Sequence, residues 1–153
     1  MKNLQTILND NKLEYISVTT SVSIKVLQYT IPPSDAAFTK DALSHRLPKV
    51  VDFLKNVASY VLMVNVYPYD DYVADPVNNR LDFMLFATNK MVLIDGNLNY
   101  TNLFDTTQDA FYGATERALA PDVYLAVSQT GFLLLGMEML QLQLLHLLTA
   151  IIL

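Results

Sequence analysis

Apolar positions along this chain follow two periods in turn, one of three to four residues and one suited to extended chain. MKNLQTILNDNKLEY, residues 1–15, places Leu4, Ile7 and Leu8 on one helical face and predicts an amphipathic helix. YISVTTSVS, 15–23, is rich in β-branched residues and predicts a strand. YTIPPSDAAF, 29–38, predicts a loop, because its prolines supply no amide donors and disfavour helix immediately before them. From Lys40 to Ala58, Leu43, Leu47, Val50, Val51, Leu54 and Val57 recur at helical spacing, with Pro48 as the weak point of the helix. YVLMVNVYPY, 60–69, predicts a buried strand whose end carries Asn65, Tyr67 and Tyr69 before an acidic turn, DDYVADP. KMVLIDGNLNY, 90–100, predicts a hairpin with Asp95-Gly96 as its two-residue turn. TNLFDTTQDAFYGATERALA, 101–120, predicts a helix capped by Asn or Thr, with Leu103, Phe104, Phe111, Ala114 and Ala118 as its apolar positions. DVYLAVSQTGF, from Asp122, then predicts a strand that is apolar on both faces and runs out at Gln129 before a glycine turn.

Helices and strands therefore alternate, which argues an α/β fold with a parallel sheet and right-handed crossovers, either a barrel or a doubly wound sheet. Three strands do not close such a sheet. A strand apolar on both faces belongs in a parallel sheet covered by helices, where chemistry gathers at the C-terminal strand ends. Gln129 thus occupies a chemical position without an ionisable group. No glycine-rich phosphate loop follows any strand, so a nucleotide site has no support.

Composition narrows the chemistry. The 153 residues suit one domain, and 52% of them are hydrophobic, enough to form a core. Net charge is −5 and the ten basic residues form no run, which excludes the electrostatic footprint of a nucleic-acid binder. The absence of cysteine removes disulfides, thiolate metal sites and cysteine nucleophiles together. His45 and His146 lie far apart and neither sits in a ligand motif, so no metal site is expected. The N-terminal segment lacks the basic region and apolar stretch of a signal peptide.

The stretches KNLQ, VTTSVS, IPPSDAAF, FLKN, VNVYPY, DPVNNRLDFMLF, DGNLNYTNLFD and DVYLAVSQTG stand in the order of a known pattern. Over roughly residues 1–131 the chain resembles plant glycoside hydrolase family 17, the endo-1,3-β-glucanases, and the pairing of NVYPY with YTNLFD is specific. The resemblance implies a partial TIM (β/α)8 barrel holding strands five, six and seven with their helices. It implies retaining hydrolysis of 1,3-β-glucans by two carboxylates about 5 Å apart, with no metal or cofactor. The acid/base glutamate would fall at the end of strand four, upstream of Met1. The nucleophile motif S-E-[TS]-G-W-P-S reads here Ser128-Gln129-Thr130-Gly131-Phe132-Leu133-Leu134. Gln129 has the shape of the nucleophilic glutamate but a neutral amide, which cannot form the glycosyl ester. Asn65, Tyr67 and Tyr69 are expected to bind substrate, because aromatic rings stack on the apolar faces of glucosyl units; plain core packing is the competing reading of the two tyrosines. Asp70 and Asp71 are the nearby acids, and an acidic turn is ordinarily solvated. Asn99-Tyr100-Thr101 is an N-glycosylation sequon, relevant to a secreted chain.

From Phe132 the composition shifts to FLLLGMEMLQLQLLHLLTAIIL. Its length suits a membrane span, but Glu138, Gln141, Gln143 and His146 fall in its middle, and one central acidic residue costs about 2.5–3.5 kcal/mol on insertion. Back-translated and read one frame over, its first codons permit Pro-Ser-Ala-Gly-Asn-Gly-Asp-Ala, the kind of sequence the family places after its Gly-Trp. The expectation is a partial barrel over 1–131 and a frameshifted tail over 132–153. The functional expectation is an inactive segment of a glucanase, with a noncatalytic glucan-binding remnant as the alternative and a membrane-anchored interaction protein as the least favoured. The partner implied is 1,3-β-glucan, and the location implied is extracellular or the cell wall.

Overall fold

The computed structural model describes residues 1–56, 61–77, 80–118 and 123–131. The tail from Phe132, with its membrane and frameshift readings, lies outside the described residues, as does Val57. The described chain runs α1 (Lys2–Asp10), β1 (Ser21–Ser23), β2 (Leu27–Tyr29), β3 (Ala37–Phe38), α2 (Leu47–Asn56), β4 (Val61–Val66), α3 (Pro68–Ala74), α4 (Leu81–Met84), β5 (Leu93–Asp95), β6 (Leu98–Tyr100), α5 (Leu103–Ala118) and β7 (Tyr124–Thr130). The alternation resolves as expected into an α/β fold: β1, β4 and β7 form a sheet in that order, and both pairings are parallel.

Strand β4 is central and its alternation organises the core. Leu62, Val64 and Val66 are buried, while Val61, Met63 and Asn65 on the other face are half-buried. Val64 and Val66 pack with Leu47 of α2 and with Ala110, Phe111 and Ala114 of α5; Leu62 packs with Val51 and Leu54 of α2 and with Val18. Helices thus cover one face of the sheet. A third cluster, Phe83, Met84, Tyr100 and Leu103, seats α4 and the β5–β6 hairpin against the start of α5.

Several elements depart from the sequence reading for identifiable reasons. The strand predicted over 15–23 shortens to Ser21–Ser23, although Thr19 Oγ1 already donates to the Val61 carbonyl at 2.6 Å and the Thr20 carbonyl accepts from Met63 N at 3.1 Å. Part of the predicted loop over 29–38 pairs as the antiparallel β2–β3. Pro48 does not end its helix. A π turn over Ala42–Arg46 precedes α2, and this wider turn accommodates a residue that has no N–H and crowds the carbonyl four positions back. The predicted acidic turn after β4 is instead α3, with Pro68 as its first residue, where a fixed φ suits the helix and a missing N–H leaves nothing unsatisfied. In the hairpin, Asp95 pairs with Leu98, so the two turn residues are Gly96 and Asn97, with Gly96 at φ +58°. Asn102 caps α5, accepting from Asp105 N at 2.8 Å.

Two apolar expectations fail. Leu4 and Ile7 of α1 are 51% and 57% exposed, and only Leu8 reaches the core. Strand β7 is not buried on both faces: among the described residues it pairs only with β4, and Tyr124 is exposed. In α5, Ala118 is exposed whereas Thr106, Thr107 and Thr115 are buried, each hydroxyl donating to the carbonyl four residues back at 2.7–2.9 Å. Gly113 allows α5 to lie close to the Pro32–Pro33 loop, since a Cβ there would stand 3.0 Å from the Pro33 carbonyl oxygen.

Candidate functional site

The C-terminal ends of the three parallel strands bring Ser23, Asn65 and Gln129 into line, Ser23 opposite Asn65 and Asn65 opposite Gln129. That alignment depends on an irregularity. Leu125 and Val127 pair with Leu62 and Val64 and pack with them on the helix-covered side. Simple alternation would send Gln129 to the same side. The register instead steps between Val64 and Asn65, leaving Ser128 as an extra residue on β7. This bulge brings Gln129 to the face of Asn65, as β-bulges do where a side chain must be re-aimed.

Hydrogen bonds fix the result. Tyr67, just beyond β4, donates from its hydroxyl to Gln129 Oε1 at 2.7 Å. Ser128 Oγ donates to Asn65 Oδ1 at 2.6 Å, with the Val64 carbonyl further off at 3.4 Å. Tyr67 and Asn65 are half-buried, whereas Ser128 and Gln129 are exposed. Gly131 follows at φ +151°, a conformation that a side chain would strain.

Of the residues expected to form a site, Gln129, Asn65 and Tyr67 are therefore together. Tyr69 is not on the strand: it sits in the first turn of α3, so it does not alternate with Tyr67 along one extended face. Asp70 lies on the same helix and is exposed. Ser128 entered the sequence reading only as a motif letter, yet it holds Asn65. The readable signal was a polar Gln129 in the apolar phase of Leu125 and Val127, a conflict that a bulge resolves.

The assembled groups are two carboxamides, a phenol and a hydroxyl. Neither carboxamide can act as a carboxylate nucleophile or a general acid, whereas together they can hydrogen-bond a polar, uncharged ligand. Among the described residues no group of three or more His, Cys, Asp or Glu could hold a metal ion, and no helix is long and apolar enough to cross a membrane.

Comparison with known proteins gives this edge a context. The model of the glycosyl hydrolases family 17 matches residues 1–139 of the chain. The chain belongs to glycosyl hydrolase family 17. It is similar to the probable glucan endo-1,3-beta-glucosidase BG4 of Arabidopsis thaliana, 37% identical over 132 residues that make up 86% of this chain and 37% of the relative. Among solved structures, one of two plant beta-glucan endohydrolases with distinct substrate specificities superposes with a TM-score of 0.79 at 39% identity, over 86% of this chain and 42% of its own. CJP38, a beta-1,3-glucanase and pollen allergen of Cryptomeria japonica, superposes with a TM-score of 0.81 at 31% identity, over 93% and 43%. This family 17 chain spans about two fifths of the length of the relatives it matches.

Proposed function

We propose that residues 1–131 form part of a (β/α)8 barrel, with β1, β4 and β7 in the places of strands five, six and seven, and that their C-terminal edge faces a 1,3-β-glucan without hydrolysing it. The observation that carries this reading is the Tyr67–Gln129 hydrogen bond at the end of a parallel sheet. It holds a neutral amide at the position where the family resemblance implies the nucleophilic glutamate. An amide cannot form the glycosyl ester of a retaining glycosidase. In this reading the chain is an inactive copy of the glucanase segment, residues 132–153 are a frameshifted tail, and the chain resides in the extracellular space or the cell wall.

Laminarin hydrolysis tests the absence of activity. Neither the 153-residue chain nor its Gln129→Glu variant is expected to release reducing sugar, because among the described residues the aligned strand ends, Ser23, Asn65 and Gln129, carry no second carboxylate. Turnover by the unaltered chain contradicts the proposal. Retention on insoluble 1,3-β-glucan is expected, and its absence removes the binding half of the reading.

A further inference from the structure

The hairpin of β5 and β6 carries a sequence signal that plays no part at the sheet edge. Asn99-Tyr100-Thr101 is the single Asn-X-Ser or Asn-X-Thr triplet in the 153 residues, and its middle residue is not proline. Side chains alternate along a strand, so β6 sends Asn99 and Tyr100 to opposite faces. Tyr100 is 4% exposed, packs with Phe83, Met84 and Leu103, and donates its hydroxyl to Asp109 Oδ2 at 2.7 Å. Leu93, its partner across the hairpin, packs on the same cluster. The inward face is thereby fixed. Asn99 stands on the outward one, exposed and directly opposite Ile94, which is 63% exposed. We infer that Asn99 is an acceptor for an N-linked oligosaccharide delivered from a lipid-linked oligosaccharide diphosphate. In that transfer a bond forms between Asn99 Nδ2 and C1 of the sugar as the bond from C1 to the diphosphate oxygen breaks; the lipid diphosphate leaves and the amide nitrogen gives up one proton. The attached sugar adds bulk only on the solvent side of the hairpin, beside Ile94, whose apolar surface it shields. This inference rests on the extracellular reading above, because the sugar is added to secreted chains.

Translation of the full chain behind a cleavable signal peptide, in the presence of microsomes, tests the acceptor site apart from the natural location. A single step to higher mass is expected, reversed by peptide N-glycosidase. Thr101→Ser should keep that step, whereas Asn99→Gln and Thr101→Ala should abolish it. An unmodified chain inside microsomes that glycosylate a control protein overturns the inference. Protease resistance in rising urea, read on the same translation products, tests the outward face. The glycosylated chain is expected to keep a midpoint equal to or above that of Asn99→Gln. A lower midpoint for the glycosylated chain overturns the solvent-facing placement of Asn99 on which the site depends. If microsomes glycosylate the chain but the chain from its natural tissue carries no sugar, the acceptor site stands and the extracellular reading falls.

Discussion

The two faces of β4 are built on different physics. Towards the helices, Leu62, Val64 and Val66 are 0%, 1% and 0% exposed, and their order comes from close packing against α2 and α5. On the opposite face Met63 and Asn65 remain half-buried, and at the strand end order comes from two hydrogen bonds between side chains. The packed face rests on buried apolar side chains, whereas the polar edge is more exposed and is held by hydrogen bonds.

The largest test of that contrast is a pair of truncations. Phe111→Ala removes a fully buried ring from the packed side and should cost about 3–5 kcal/mol in urea unfolding, whereas Met63→Ala on the open side should cost about 1 kcal/mol. Equal losses would erase the distinction. Next in size, Asn102→Ala removes the cap of α5, the helix that covers the sheet, and should cost about 1–2 kcal/mol by thermal or urea unfolding.

Tyr100 sharpens the contrast on the buried side. Its hydroxyl donates to Asp109 Oδ2 at 2.7 Å, and burial, followed by the Asp109 carboxylate, raises its pKa well above the usual tyrosine value. A raised pKa favours the protonated form in the folded state. The stabilisation is therefore complete below about pH 10 and is lost as pH climbs towards the folded value. Tyr100→Phe should cost about 1 kcal/mol at pH 7 and flatten the loss of stability above about pH 10 in unfolding titrations. The smallest effect belongs to the polar edge. Gln129→Glu, at an exposed position, should shift stability by no more than about 0.5 kcal/mol.

Much of the packed side was legible in the sequence. Leu47, Val51 and Leu54 of α2 and Leu103, Phe111 and Ala114 of α5 are buried at the spacing that predicted them. The threonines of α5 escaped because their hydroxyls are satisfied within the helix, which polarity by residue type cannot show. Phe53, also buried, escaped because it lies outside the periodic stripe read from the sequence. At the edge, the motif drew attention to Gln129, but the bulge at Ser128 and the start of α3 at Pro68 depend on pairing and chain direction. Those two features decide that Tyr67, rather than Tyr69, meets Gln129.

The most direct measurement is the amide NMR spectrum of the chain titrated with laminarihexaose. Binding at the polar edge predicts shifts at Asn65, Tyr67, Ser128 and Gln129, side-chain amides included, with Leu62, Val64 and Phe111 on the packed side unmoved. An unchanged spectrum, or shifts confined to surfaces away from the ends of β4 and β7, would contradict it.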